Sequence, residues 1–250
     1  MQSFHVIRWA AWARGLDSQT AWRAWFDRSD SDACPDGPEQ PDLKEVPPLM
    51  RRRIDPLGRA AIQTVYDATG GEPLGGPVVF ASRWGEVARS LALLQQLVSE
   101  EALSPTQFSL SVHNSSGALS SMARRDRENY LAVAAGGHSA EAGVIEAMGL
   151  LADGAPRVLV VCFDAPLPSA YAAMAPEGAP AMTYAWACVL EAADDASGIT
   201  LMPLTEAQAL PPADRIPDDL AVLEFLVGQS PTLDRAGAHG GWRWSRKTLC

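Results

Sequence analysis

The residues best suited to chemistry lie in one stretch, Ser109-Leu-Ser-Val-His-Asn-Ser-Ser-Gly-Ala-Leu-Ser-Ser-Met-Ala123. His113 stands just before Ser115 and Ser116, so an imidazole base for a serine hydroxyl is conceivable, although no acid lies nearby in sequence to orient it. Leu110 and Val112 alternate with Ser109, Ser111 and His113, which predicts a strand. After a break at Asn114-Ser115-Ser116-Gly117, the small residues Ala118 and Ser121, with Met122, resume at helical spacing. A strand that turns tightly into a helix holds one side chain at its apex, beside the unsatisfied N–H groups of the helix start. Acyl-transfer enzymes keep a nucleophile at such an apex because those groups stabilise developing negative charge. Here the apex carries serine and glycine and no cysteine. A plain strand–helix corner capped by Asn114 or Ser115 fits the same residues and is the commoner outcome.

Other chemistry is sparse. The sequence has no G-x-G-x-x-G, P-loop, G-x-S-x-G or H-E-x-x-H. Its four histidines, His5, His113, His138 and His239, share no ligand-like spacing, so neither a metal nor a cofactor is expected. Arg51-Arg52-Arg53 has the charge to clamp a phosphate or carboxylate, but such runs more often end as solvated or ion-paired helix entries. Cys34, Cys162, Cys188 and Cys250 form no C-x-x-C, and Cys162 and Cys188 sit in apolar runs as reduced core residues do. With 20 Lys+Arg against 30 Asp+Glu, the net charge of -10 argues against nucleic acid and anionic membranes as partners. Arg8 and Arg14 interrupt the apolar start, which fits no signal peptide, and no apolar run has the length of a membrane span. The expected location is the cytoplasm.

The elements that must position these residues alternate along the chain. Strands are expected at residues 4–12, 77–82, 129–137, 157–164, 181–191 and 198–203. Helices are expected at 20–26, 56–68, 86–101, 140–151 and 220–226. Val87, Leu91, Leu94 and Val98 share one side of the strongly periodic helix at 86–101. Residues 29–48, rich in Asp, Pro and Gly, read as a mobile surface loop, 211–219 as a second loop, and 236–250 as a tail. At 250 residues, 47% hydrophobic, the chain suits one α/β domain with a mainly parallel sheet and helices on both faces. Eight tryptophans also fit a large apolar interface.

Several segments in this order resemble the N-terminal half of β-ketoacyl synthases, the thiolase-like condensing enzymes. The likeness is closer to the short synthase-like subunits of aryl-polyene and xanthomonadin-type pigment clusters, described as chain-length factors. It is carried by Leu49-Met-Arg-Arg-Arg-Ile-Asp-Pro56, Val79-Phe-Ala-Ser-Arg-Trp-Gly-Glu86, Leu103-Ser-Pro-Thr-Gln-Phe-Ser-Leu-Ser-Val-His-Asn114 and Leu131-Ala-Val-Ala-Ala-Gly-Gly137, with residues 158–168. The resemblance implies a thiolase-like half-fold, and its departures imply the role.

Active synthases carry a cysteine at a strand-to-helix elbow. Aligned on the expected strand at Ser109, that position falls on Ser116, with one residue of slack toward Ser115. Serine has no thiolate near neutral pH and is a weak nucleophile without a positioned base. The family's catalytic histidines lie in a second half that this sequence lacks, and His239-Gly240-Gly241 matches them only faintly. The resemblance therefore implies a non-catalytic subunit, paired with a full-length ketosynthase as a heterodimer and meeting acyl carrier protein only indirectly. Ser109, Ser111, His113, Asn114, Ser115, Ser116 and Met122 would then line the interface or the floor of the partner's acyl tunnel. The strand beginning at Ser109 would offer the open edge that pairs with the ketosynthase. Two alternatives stand beside it: a serine acyltransferase or thioesterase using Ser116 with His113 or His138, and a stand-alone module binding acyl chains or carrier protein. The acidic balance weighs against the last, because carrier proteins are acidic too.

Overall fold

A computed structural model describes residues 3–28, 35–176, 179–193, 197–204, 218–237 and 240–247. In chain order the elements are β1 (Ser3–Ala13), α1 (Gln19–Phe26), α2 (Pro48–Arg51), α3 (Pro56–Thr69), β2 (Val78–Ala81), α4 (Val87–Val98), α5 (Pro105–Ser109) and α6 (Ser115–Arg124). They continue with β3 (Tyr130–Val133), α7 (Ser139–Ala152), β4 (Val158–Asp164), β5 (Tyr184–Ala193), β6 (Gly198–Leu204), α8 (Asp218–Val227), β7 (Thr232–Gly237) and β8 (Gly240–Lys247). Most expected elements fall where periodicity places them. The expected loop at 211–219 lies largely outside the described residues, as do Cys34, His239 and Cys250.

The eight strands of the described residues join one sheet in the order β3-β2-β4-β5-β1-β6-β8-β7. The α/β class holds, but the sheet is mixed rather than mainly parallel. Only the β2–β3 and β2–β4 pairs are parallel, while β5, β1, β6, β8 and β7 pair antiparallel. A parallel pair needs a helical crossover; α4 to α6 supply one between β2 and β3, and α7 another between β3 and β4. Between β4 and β5 the described residues hold only a short 3-10 turn at Ser169–Met174, so β5 returns antiparallel.

Helices cover both faces. Alternate residues of β4 point oppositely. Val158, Val160 and Cys162 enter one core with α1, α7 and α8 residues such as Trp22, Val144 and Leu223. Leu159, Val161 and Phe163 enter another beneath Leu57, Ala60, Ala61 and Val65 of α3.

Two organisational expectations need correction. The segment taken as a tail from 236 is mostly sheet: β7 and β8 form a hairpin in which Trp244 is fully buried. The loop expected to be mobile is pinned over its described part, because Leu43 and Val46 are buried with Ile54, Ile62, Tyr66 and Leu119. Arg51 fastens it by donating to the carbonyls of Asp42 and Leu43, both at 3.3 Å. That contact fixes one member of the arginine triple as structural.

Candidate functional site

The stretch from Ser109 to Val112 is not a strand. Ser104 caps α5 by accepting the Gln107 N–H, and Pro105 pre-sets the first helical turn. The hydroxyls of Ser109 and Ser111 then bond back to the carbonyls of Thr106 (2.9 Å) and Phe108 (2.8 Å). Ser115 N–H closes the next turn on Val112 O at 3.1 Å. Serine side chains that satisfy nearby carbonyls compete with a sheet ladder, so the alternation of Leu110 and Val112 does not produce one. The edge expected here, and the alignment that placed the family's cysteine at Ser116, lose their basis.

The candidate residues separate by exposure. Ser109, Asn114 and Met122 are exposed, Ser111 and His113 are half-buried, and Ser115 and Ser116 are buried in the first turn of α6. Phe108 and Val112, which were not among the candidates, are also exposed, at 65% and 44%. Leu94, Leu97 and Val98 of α4 are exposed as well, and Leu93 alone in that helix is buried. The apolar stripe foreseen on α4 exists but is left largely uncovered by this chain.

Ser116 has no histidine partner among the contacts seen. Its hydroxyl donates to Glu86 Oε1 at 3.1 Å, whereas the His113 Nε2 lies 3.0 Å from the Ser82 carbonyl. The Ser116–His113 pair of the enzyme alternative is therefore not formed. Burial pushes the Glu86 carboxyl up to about 7, aided by nearby Asp55 and opposed by the Ser116 hydrogen bond and by Arg89. Asp55 is itself ion-paired to Arg89. Asp164 is likewise pushed up to about 7 by burial, while the Arg83 and Trp84 N–H groups and the Ser82 hydroxyl oppose the shift.

Raised carboxyls bind protons more tightly in the folded state. Their stabilising contribution is present below the unfolded value and is lost as pH rises through the folded one. Glu86→Gln keeps an acceptor for Ser116 without the charge. Relative to the wild type, the variant should gain on the order of 2 kcal/mol between pH 5 and 8. Urea melts at the two pH values check this; an equal offset at both would mean that Glu86 does not titrate in the fold.

A true strand-to-helix elbow lies elsewhere, where the edge strand β3 leads through the 3-10 turn Gly136–His138 into α7. Gly136 has φ 57°, a conformation that favours glycine. Ser139, the first residue of α7, is buried; its Oγ accepts the Ala135 N–H at 3.0 Å and donates to Gly136 O at 2.9 Å. That hydroxyl is thus committed to holding the turn. The elbow offers glycines and an imidazole and has neither cysteine nor a free serine.

Behind it lies a buried ionic cluster. Glu141 Oε1 accepts from Trp244 Nε1 and meets Arg235 Nη1, both at 3.2 Å, and Glu141 Oε2 is 3.7 Å from His138 Nδ1. Arg235 also pairs with Asp219 at 3.3 Å and donates through Nη2 to the Gly137 carbonyl. Tyr184 OH donates to Asp219 Oδ2 at 3.3 Å. Burial works to raise the Glu141 carboxyl, but the Arg235 charge and His138 outweigh it and hold the group below its ordinary value. Burial raises Asp219 despite Arg235. Sequence reading missed this cluster: Glu141 and Asp219 lie in mostly apolar helices, a partial signal that does not name their common partner Arg235.

The strand ahead of the elbow is open. The carbonyls of Asn129 and Val133 receive the N–H groups of Val78 (3.0 Å) and Ser82 (3.2 Å) from β2. In a parallel ladder the backbone groups of Tyr130 and Ala132 then point away from the sheet. No charged residue interrupts Tyr-Leu-Ala-Val in β3, whereas the opposite edge strand β7 carries Asp234 bound to Arg243 Nε at 2.6 Å. Among the described residues no cluster of His, Cys, Asp or Glu could hold a metal, and no helix is long and apolar enough to cross a membrane.

Comparison with known proteins agrees with this architecture. A family model described as "Beta-ketoacyl synthase, N-terminal domain" matches residues 22–245. A chain from the structure of the ketosynthase ApeO in complex with its chain length factor ApeC, from Xenorhabdus doucetiae, is 27% identical with a TM-score of 0.82. The match covers 98% of this chain and 99% of that one. A chain of the ishigamide ketosynthase/chain length factor is 14% identical with a TM-score of 0.64, over 81% of this chain and 68% of that one. A β-ketoacyl synthase from Burkholderia phymatum STM815 is 11% identical with a TM-score of 0.58, over 83% of this chain and 66% of that one. No curated protein sequence matches the chain.

Proposed function

Because the chain belongs to the β-ketoacyl synthase N-terminal domain family and has its thiolase-like fold, we propose that it is a non-catalytic chain-length-factor subunit. In this reading it pairs with a full-length ketosynthase in polyketide biosynthesis of the aryl-polyene type. The observation that carries the proposal is the elbow between β3 and α7: the fold is kept, but Gly136-Gly137-His138 stand where a nucleophile would be needed. This replaces Ser116 as the counterpart of the family's cysteine position. Support also comes from the end-to-end match to a chain of a ketosynthase–chain length factor complex.

The partner surface is built from two features. The open β3 edge supplies backbone groups for an added strand, and the exposed apolar side chains of α4, α5 and the 110–114 turn supply area to bury. Such a heterodimer should bury more than about 1,200 Å² in total. Co-expression with a full-length ketosynthase of the same source, followed by size-exclusion chromatography and an acyl-carrier condensation assay, tests the reading. The pair should co-elute and turn over, and the isolated chain should do neither. A stable monomer that ignores the ketosynthase, or Ser116-dependent turnover by the chain alone, would overturn it.

Tunnel shaping falls to the exposed side chains between Phe108 and Met122, two of which, Phe108 and Val112, lie outside the candidate set. Ser115 and Ser116 face their own core, so a bulky residue there would disturb folding; a Cβ on Gly58 would already lie 3.2 Å from Ser116 Oγ. Phe108 and Val112, with Ser109 and Met122, have side chains free to meet a partner. If Phe108 closes the partner's tunnel, Phe108→Ala should lengthen the product of the assembled pair by at least one extension unit, and Val112→Trp should shorten it. Mass spectrometry of released chains reads the result. Unchanged lengths in both assembled variants would place the gate elsewhere.

A further inference from the structure

The turn at residues 110–114, which meets the partner in the proposed heterodimer, is tied down from one side only. The Ser115 N–H and the Ser111 hydroxyl close on Val112 and Phe108 of the same stretch. Among the described residues, each hydrogen bond that 110–116 makes beyond α5 and α6 lands on residues 82–90. His113 Nε2 donates to the Ser82 carbonyl at 3.0 Å, Ser90 Oγ donates to the Ser111 carbonyl at 3.3 Å, and the Ser116 hydroxyl donates to Glu86 at 3.1 Å. Gly85 permits the close approach: its φ is 53°, and a Cβ there would lie 2.8 Å from His113 Cδ2.

The 82–86 turn itself hangs on one buried carboxylate. Asp164, at the end of β4 and 1% exposed, accepts the Ser82 hydroxyl (2.9 Å) and the Trp84 N–H (3.2 Å) at Oδ1, and the Arg83 N–H (2.8 Å) at Oδ2. The Ser82 hydroxyl extends the tie by accepting the Gly85 N–H at 2.8 Å. Only a carboxylate accepts at both oxygens; an amide or a protonated acid turns a donor toward one of these groups.

We propose that Asp164 is the positioning residue of the partner-facing turn, acting through the 82–86 turn and His113. What the turn meets rests on the chain-length-factor reading; how it is held does not. The groups facing Asp164 are Arg83 on the turn, Asp219 of α8, Cys162 of β4 and Tyr184 of β5. Burial pushes Cys162 and Tyr184 far up, so both stay neutral. Burial first, and Asp219 with it, raises the Asp164 carboxyl to about 7. Below that pH the carboxyl loses an acceptor and the turn should loosen. His113 donates through Nε2 in either of its own forms, and Glu86 accepts the Ser116 hydroxyl in either of its own.

Two measurements test this: affinity for a full-length ketosynthase of the same source by biolayer interferometry, and histidine-ring 1H–15N spectra of the free chain, with His113 assigned by His113→Gln. Asp164→Asn, nearly the same in size, should weaken the complex about tenfold at pH 8. The His113 Nε2 proton should be protected from solvent exchange in the wild type and lose that protection in the variant. Wild-type affinity should fall about fivefold from pH 8 to pH 6, while that of Asp164→Asn stays level within about twofold. A uniform loss of stability does not produce that split. If Asp164→Asn fails to fold, Ser82→Ala, which removes the bridging hydroxyl, should expose the same proton and weaken binding alike. Wild-type affinity in the folded variant, a pH slope shared by wild type and Asp164→Asn, or a His113 proton still protected overturns the proposal. If the wild-type chain binds no ketosynthase, the reading beneath it fails, and the histidine spectra alone decide whether Asp164 holds the turn.

Discussion

Replacing Arg235 with methionine is expected to destabilise the chain by about 3–5 kcal/mol at pH 8. The side chain is only 7% exposed and is the guanidinium between two carboxylates, Glu141 and Asp219, which are themselves 0% and 3% exposed. Methionine fills much of the volume, so the loss is chiefly that of uncompensated buried charge. The sign with pH follows. With Arg235 present, Glu141 is held below its ordinary value and contributes stability above the unfolded value that is lost as pH falls. Without it, burial raises both carboxyls, and the folded variant binds protons that the unfolded chain has released. Its stability then falls as pH rises, so the deficit against the wild type should shrink toward pH 5. Urea melts of both proteins at pH 5 and 8 supply the numbers. A deficit below about 1 kcal/mol, or one that is larger at pH 5, would show that the cluster is not a buried ion network. The variant should also loosen the elbow, because Arg235 is the donor to the Gly137 carbonyl.

Most of the fold was legible because it is written in local periodicity. Helix α3 shows its inner stripe in Leu57, Ala60, Ala61, Thr64 and Val65, all buried, and the uniform apolar run of β4 announces a strand covered on both faces. Three things were not legible, each for a physical reason. Alternation from Ser109 to His113 imitates a strand, but serine-to-carbonyl bonds and Pro105 select helix and turn instead. Parallel or antiparallel pairing depends on which connections carry a crossover, and the direction of β5 leaves no mark within the strand itself. The buried cluster joins Glu141, Asp219 and Arg235 from three separate elements, so no window of sequence contains it. The same causes hide the elbow. The glycines at 136 and 137 have the look of a strand end, and nothing in their own window shows that they also introduce α7.

The open edge gives the sharpest test of assembly. In β3 the backbone groups of residues 129, 131 and 133 serve the ladder with β2, as the bonds at Asn129 and Val133 show, and those of 130 and 132 face outward. Proline at 132 would therefore remove an outward N–H and set its ring against an incoming strand, without breaking a bond to β2. The isolated Ala132→Pro chain should melt within about 1 kcal/mol of the wild type, since edge strands tolerate proline. Its affinity for the ketosynthase should fall by about tenfold to a hundredfold, from a lost backbone hydrogen bond and the steric block together. Ala132→Ser, which keeps the N–H, should behave as wild type. Affinities from biolayer interferometry, with melts of the free chains beside them, separate the two effects. If Ala132→Pro binds as tightly as the wild type, β3 is not where the partner's strand adds, and the apolar side chains of α4 and α5 must carry the interface alone.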